Sequence, residues 1–196
     1  MRIYTHPEYL AHEVANGHPE RPERISHLLN HLNQLGITQD FIPQQPLPIA
    51  DERILAAHPR SHLDFIRQSV PSEGVVPIDP DTWMSPGSLR AAKLAAGAVF
   101  AGMDYVLNSD DSRVFCAVRP PGHHAEIDAA MGFCLINSVA IAAIAALDHH
   151  EVERVAILDF DVHHANGTVD ICKDRPEILV CSSFQHPYYP NRMFDV

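Results

Sequence analysis

The sequence predicts an α/β fold in which an open parallel β-sheet is flanked by helices. Three short apolar runs, at 114–118, 155–158 and 178–181, show little alternation and are typical of buried strands. An Ala-rich and Ile-rich helix at 138–147 lies between the first two runs, and Asn137 before it is a candidate cap. A strand, a helix and a strand at this spacing predict a parallel pair joined by a right-handed crossover.

The sequence predicts the helices before residue 114 with different degrees of clarity. Residues 21–36 form an amphipathic pattern that ends at Gly36, a natural stop signal. The proline-rich stretch 41–84 predicts loops and short helices, with one helix around 53–68. An Ala-rich helix is expected from Ser85 to about Leu107, with Pro86 in its first turn.

The composition bounds the class of protein. With 196 residues and 46% hydrophobic residues, the chain can bury a core, and without repeats or linkers 1–196 is predicted to be a single domain. The 25 acidic residues exceed the 14 basic ones and give a net charge of -11. This balance argues against direct nucleic-acid binding, which needs a basic surface, and slightly favours cationic substrates.

The cysteines and the apolar runs indicate a location. Cys116, Cys134, Cys172 and Cys181 are scattered through apolar stretches without a Cys-x-x-Cys spacing, so we expect buried free thiols and a cytoplasmic protein. The opening residues have no apolar signal core, and no apolar run has the length of a membrane span. We therefore expect no membrane partner.

Each apolar run is followed by a polar cluster, at 119–124, 159–164 and 182–186. In a parallel sheet the carboxyl ends of the strands lie at one edge, where ligands bind. We therefore expect the three clusters to meet.

The cluster after the second run has metal-binding chemistry. Asp159, Asp161 and His163 are two residues apart, so an extended chain places them on one side. Asp161 and His163 are plausible zinc ligands, and Asp159 could orient a neighbouring group. A solvated loop is the better explanation for any one of these residues taken alone, but the poorer explanation for three ionisable groups at the end of one apolar strand.

The cluster after the first run is a stiff turn, Arg119-Pro-Pro-Gly-His123-His124, that presents two adjacent imidazoles. Rigid imidazoles suit acid–base catalysis, although an isolated histidine pair is more often structural. The second pair, His149-His150, is interpreted as a favourable charge at a helix C-terminus.

Several motifs together resemble the histone deacetylase superfamily. They are RPPGHHA at 119–125, Met131-Gly-Phe-Cys134 and DFDVHHANGT from Asp159, supported by 18–24, Asp81-Thr82 and 182–190. The likeness is to the class II branch and its bacterial relatives, which include acetylpolyamine amidohydrolases. The resemblance implies the arginase/deacetylase type of open α/β sheet and a zinc-dependent amidohydrolase.

The resemblance also implies roles for individual residues. It makes Asp161 and His163 zinc ligands, and it makes His123 and His124 the catalytic pair, with His124 as the general base and then acid. It implies that Asp159 and Asn166 are the partners of His123 and His124, respectively. It also implies that Gly132 and Phe133 line an acyl-lysine channel. Finally, it implies a structural potassium ion surrounded by Asp159, Asp161, His163, Ser182 and Ser183.

Two features of the family are not found in the sequence. The resemblance implies a third zinc ligand, an aspartate from a later strand, and a tyrosine or histidine from a later Gly-rich loop. Asp195 follows the 182–190 segment too closely to be that aspartate. We therefore expect the N-terminal part of an incomplete domain, with an exposed apolar sheet edge that favours self-association.

Other functions stay open at this point. An arginase-like hydrolase would need Asp-x-His-x-Asp runs, whereas the sequence has Asp-x-Asp-x-His-His. An inactive acyl-lysine-binding module would keep the pocket without turnover, and metal storage would not require the stiff histidine turn. Acetylated lysine, acetylpolyamines and other small acyl amides are all candidate substrates.

Overall fold

The computed structural model describes residues 1–149 and 151–192. Its strands are β1 Arg2–Tyr4, β2 Ile42–Gln44, β3 Val76–Asp79, β4 Thr82–Met84, β5 Val114–Cys116, β6 Val155–Asp159 and β7 Ile178–Ser182. Its α-helices are α1 Glu23–Gln34, α2 Asp51–Ile54, α3 Arg60–Gln68, α4 Ser88–Leu107, α5 Ser138–Ala146 and α6 Asn166–Cys172. Short 3-10 helices cover Pro7–Ala11 and Ile37–Asp40.

The strands form parallel sheets with flanking helices, so the predicted α/β class is confirmed. One sheet has the order β2-β1-β5, a second pairs β6 with β7, and β3 and β4 form an antiparallel pair. The predicted direct pairing of the runs at 114–118 and 155–158 is wrong, because β5 pairs with β1 and β6 with β7. The partner of β5 comes from Arg2–Tyr4, a segment too short for periodicity to reveal.

Most predicted helices form, with shifted boundaries. α1 ends before Gly36, which has φ of 73°, as the stop signal predicted. The expected helix around 53–68 is instead two helices, because Pro59 precedes α3 and a residue before proline avoids helical geometry. α4 begins at Ser88, so Pro86 lies before the helix rather than in its first turn.

α4 and α5 form the centre of the core. Nearly every residue of α5 is buried, and its small alanines pack against α4 and β6. The Asn137 side chain caps α5 by accepting a hydrogen bond from the Ala140 N–H at 3.0 Å, as predicted. The packing of α5 holds the end of β6 beside the histidine turn.

The second parallel sheet leaves one face uncovered. Leu158 on β6 is 72% exposed, Leu179 on β7 is 60% exposed, and Phe160 just after β6 is 85% exposed. In the described part of the chain, β6 has β7 as its strand neighbour on one edge and none on the other. An apolar sheet face and a strand edge are therefore accessible.

Two further sequence expectations can be compared with the described residues. All four cysteines are free, as predicted, but only Cys134 and Cys172 are buried, whereas Cys116 is half-buried and Cys181 is exposed. No helix in 1–149 or 151–192 is long and apolar enough to cross a membrane. His150, interpreted as part of a favourable charge at a helix end, and Asp195, considered and rejected as a zinc ligand, lie outside the described residues.

Candidate active site

The histidine turn is anchored by a buried arginine. The Arg119 side chain is 1% exposed, and its guanidinium lies against the Glu20 carboxylate, with 2.7 Å between Nε and Oε1. Arg119 also donates to the Tyr9 carbonyl oxygen. The turn therefore starts from a fixed position, which presents His123 and His124 with their ring centroids 4.0 Å apart.

The two histidines have different partners. His123 Nδ1 donates to Asp159 Oδ2 at 2.9 Å, at the end of β6. His124 Nδ1 lies 2.6 Å from Asn166 Oδ1, at the first residue of α6. The structure therefore brings together all four residues that the sequence analysis assigned to the catalytic set.

The His123–Asp159 and His124–Asn166 pairs differ in how their surroundings shift the pKa values of their members. Burial raises the pKa of Asp159, but the hydrogen bond and charge of His123 outweigh burial, so this pKa lies below its usual value. Burial and, to a smaller extent, the neighbouring His123 charge lower the pKa of His124 to about 4. His124 is therefore neutral at neutral pH, whereas His123 faces an ionised carboxylate.

Asp161 and His163 lie at the same rim. Asp161 Oδ1 is 3.0 Å from His163 Nδ1 and also accepts from the His163 backbone N–H at 2.8 Å. The His163 ring centroid lies 5.7 Å from that of His124. Two ligands of a tetrahedral zinc ion are about 3.3 Å apart, so these two side chains fit half of a zinc site.

The described residues do not complete a metal site. No group of three or more histidine, cysteine, aspartate or glutamate side chains in 1–149 and 151–192 has the arrangement of a metal centre. Catalytic zinc usually keeps three protein ligands. Asp161 and His163 therefore supply two donors to any ion that is bound here.

A pocket of about 350 Å³ joins these groups. Of the predicted residues, the two histidines of the turn, the two zinc-ligand candidates and both channel residues line it, whereas Asp159 and Asn166 lie behind the histidines. The complete lining is Pro19, Glu20, Arg24, Asp81, Pro121, His123, His124, Gly132, Phe133, Asp161, His163 and Tyr189.

The channel residues are held in an uncommon backbone conformation. Gly132 has φ of 58° and Phe133 has φ of 69°, a left-handed conformation that is costly for phenylalanine. The Gly132 N–H donates to Asp81 Oδ1 and the Phe133 N–H to Thr82 Oγ1, each at 3.0 Å. These bonds keep the Phe133 ring in the pocket wall, 4.7 Å from the His18 ring.

The residues predicted around potassium also lie together. Asp159 and Ser182 are paired in the β6–β7 register, and the Ser183 N–H donates to the Asp159 carbonyl oxygen at 2.9 Å. The Ser182 hydroxyl accepts from the Ala165 N–H at 3.1 Å. Potassium binding by this group stays a prediction.

Besides Pro19 and Pro121, four lining residues were not predicted as part of the site: Glu20, Arg24, Asp81 and Tyr189. The Tyr189 ring lies edge-on to His124 with centroids 4.9 Å apart, and burial and the Asp81 and Asp79 carboxylates raise its pKa. Each of these residues lies in a motif that supported the resemblance. Its distance along the sequence from His123 and His124, however, did not indicate that it would lie beside them. Tertiary structure alone brings them to the pocket.

Comparison with known proteins gives the same family as the motifs. Residues 18–195 match the family model described as the histone deacetylase domain. The chain belongs to the histone deacetylase family. It resembles the crystal structure of the HDA15 HD domain with a TM-score of 0.92 and 31% identity, covering 98% of this chain and 58% of that one.

Three curated members of the family show how much of their length this chain matches. An uncharacterized protein of Synechocystis sp. is 42% identical, a probable deacetylase of Archaeoglobus fulgidus 36%, and a histone deacetylase-like amidohydrolase of Pseudomonas aeruginosa 38%. The matches cover 96%, 96% and 90% of this chain, but 62%, 52% and 46% of those proteins. The chain thus spans about half to three fifths of their length.

Proposed function

We propose that this protein is a zinc-dependent amidohydrolase that removes acetyl or other acyl groups from lysine side chains or related acylated amines. One observation carries the proposal: His123 and His124, each with its own partner, face the same pocket as Asp161 and His163. The names of the Archaeoglobus and Pseudomonas relatives, a probable deacetylase and a histone deacetylase-like amidohydrolase, support it.

Asp161 and His163 would hold the metal. Zinc bound there would polarise the amide carbonyl and lower the pKa of a water molecule to roughly 7. The described residues supply two zinc ligands, and two protein ligands bind zinc less firmly than three, so we expect weak zinc binding. Potassium beside Ser182 and Ser183 remains part of the proposal.

The histidines would divide the proton transfers. His124 is neutral and its Nδ1 is occupied by Asn166, so Nε2 is the nitrogen that can accept a proton from water and return it to the leaving amine. A protonated His123, held by Asp159, would stabilise the negative charge that develops on the carbonyl oxygen. The unlike environments of the two rings support this assignment.

Phe133 and Tyr189 would enclose the acyl-bearing methylene chain, with Gly132 leaving room beside His124. Apolar walls and a polar end suit an amide on an aliphatic chain. Asp81 and the net charge of -11 favour a cationic substrate over an acidic one. Acetylated lysine and acetylpolyamines both meet these conditions, and the free cysteines support a cytoplasmic location.

The test is turnover of an acetyl-lysine peptide and an acetylpolyamine by the chain supplied with zinc. His124→Ala should abolish turnover and leave zinc binding unchanged, whereas His163→Ala should abolish both. His27→Ala removes an exposed histidine of α1 and serves as the matched control. Turnover that survives His124→Ala would contradict the role of His124 as base.

A second candidate is an inactive acyl-lysine-binding module. It is supported by the described residues providing two zinc ligands rather than three. Calorimetric titration with an acetyl-lysine ligand and a hydroxamate, with and without zinc, separates the two. Binding without turnover would favour the module. An arginase-like activity would instead require two manganese ions and turnover of a guanidino substrate.

A further inference from the structure

The Asn166 amide lies between the His124 ring and a second buried side chain, Glu126. Asn166 Oδ1 is 2.6 Å from His124 Nδ1, and Asn166 Nδ2 donates to Glu126 Oε1 at 2.7 Å. All three residues are buried. The other oxygen of Glu126 accepts from Arg192 Nη2 at 2.7 Å. Glu126 is therefore held in place on the far side of the amide from His124.

The orientation of this amide determines which nitrogen of His124 carries the proton. With the amide oxygen toward the ring, Nδ1 must be the protonated nitrogen and Nε2 is free to act as a base. With the amide nitrogen toward the ring, Nδ1 must be unprotonated and Nε2 carries the proton. Only the first orientation leaves His124 able to accept a proton in the pocket.

Every group on the Nδ2 side of Asn166 is an acceptor. Besides the Glu126 carboxylate, the His124 carbonyl oxygen lies at 3.5 Å and the Met131 sulfur at 3.4 Å. A flipped amide would place its oxygen against the Glu126 carboxylate, two acceptors facing each other with no proton between them, which is unfavourable in a buried site. Of these acceptors, the carboxylate forms the shortest and strongest bond.

We infer that Glu126 is a positioning residue that sets the tautomer of His124 through the Asn166 amide. Its catalytic consequence rests on the proposed function, whereas the tautomer itself does not. An aspartate at 166 would present an oxygen to His124 in either orientation. The need for Glu126 therefore arises because residue 166 is an asparagine.

The tautomer can be measured directly in the 196-residue chain. Histidine labelled with ¹⁵N distinguishes the two tautomers by multiple-bond correlation spectra, and His124→Gln assigns the signal. We expect a protonated Nδ1 in the wild-type chain and a shift toward a protonated Nε2 in Glu126→Leu.

A double variant provides a rescue. Glu126→Leu combined with Asn166→Asp should restore the protonated Nδ1, because a carboxylate cannot present a donor to the ring. A wild-type His124 protonated on Nε2, or a Glu126→Leu variant with an unchanged tautomer, would overturn the inference. Failure of the double variant to restore the tautomer would also overturn it.

Two controls separate positioning from loss of structure. Asp170→Leu removes a carboxylate that accepts from the Ile127 N–H at 3.0 Å, one residue from Glu126, and should leave the His124 tautomer unchanged. His58 contacts the Ile127 carbonyl oxygen and the Asn137 N–H, so its own signals report whether the surrounding backbone is intact. If Glu126→Leu alters the His58 signals, Glu126→Ala takes its place.

Kinetics adds a second readout once turnover is measured. Loss of a residue that orients a catalytic group typically costs roughly 10- to 100-fold in activity. We expect a fall of that size in kcat for Glu126→Leu, with KM unchanged. A chain without any turnover would contradict the proposed function, and the tautomer measurements would still decide the inference about Glu126.

Discussion

The guanidinium of Arg119 and the carboxylate of Glu20 form a buried ion pair across 99 residues of sequence, with 2.9 Å between Nη2 and Oε2. Glu20 also lies 3.4 Å from His12 Nε2, and the pKa of Glu20 is below its usual value because His12 and Arg119 outweigh the effect of burial. This pair ties the chain before α1 to the histidine turn.

Removing one partner of this pair should destabilise the fold strongly. We expect Arg119→Met to lower the free energy of unfolding by about 3 kcal/mol, because the buried Glu20 carboxylate loses its buried guanidinium partner and keeps Arg24 Nη1, at 3.3 Å, and His12. Urea unfolding followed by circular dichroism measures the change. Arg90→Met, which breaks an exposed pair with Glu8, is the matched control and should cost about 1 kcal/mol or less. Equal losses in both variants would contradict the structural importance of the buried pair.

Gly132→Ala should displace His124. A Cβ atom on Gly132 would lie 2.6 Å from His124 Cγ, and the φ of 58° adds backbone strain. Gly74→Ala shares the positive φ but has open space around the new methyl group, so it measures the strain alone. We expect Gly132→Ala to cost roughly 1–3 kcal/mol more than Gly74→Ala by urea unfolding. A cost no larger than that of Gly74→Ala would show that the pocket wall yields without strain.

Stability should fall in mild acid partly because of His58. Burial lowers the pKa of His58 to about 4 from its usual 6.5, so the unfolded chain binds a proton at pH values where the folded chain does not. Above pH 6.5 His58 does not change the free energy of unfolding. As the pH falls from 6.5 toward 4, His58 lowers that free energy progressively, by about 3 kcal/mol in all. His58→Gln should therefore lose less unfolding free energy than the wild type between these pH values. Parallel pH profiles of the two proteins would contradict this assignment.

The uncovered face of the second sheet should promote self-association, as the sequence analysis expected. Leu158→Lys with Leu179→Lys should weaken association by roughly tenfold or more, because burial of two leucines no longer contributes. Sedimentation across a concentration range gives the association constant. Leu47→Lys changes an even more exposed leucine outside the sheet and should have no effect. A monomer at all concentrations in the wild type would refute the prediction.

The elements predicted correctly are those whose signal lies within one segment. The runs that became β6 and β7, the cap at Asn137 and the stop at Gly36 each depend on a few consecutive residues. β1 has three residues, and its pairing with β5 joins positions more than a hundred residues apart. No local periodicity can indicate such a pairing, which explains the wrong prediction for the first and second runs.

The same distinction applies to the site. Asp159, Asp161 and His163 alternate at a strand end, and this spacing alone placed them on one side of the chain. Glu126 and Tyr189 carried no such signal, because the first acts through a side-chain amide and the second reaches the pocket from a separate loop. Roles that depend on contacts between distant segments become visible when the chain is folded.

The bond between His123 and Asp159 has a mechanical meaning as well as a chemical one. β5, which leads into the histidine turn, and β6, which ends at Asp159, belong to different sheets in the described part of the chain. At the pocket rim, this side-chain hydrogen bond links the two sheets. A substitution that weakens this bond would change both the spacing of the two sheets and the proton chemistry of His123. The two properties cannot be altered separately at this position.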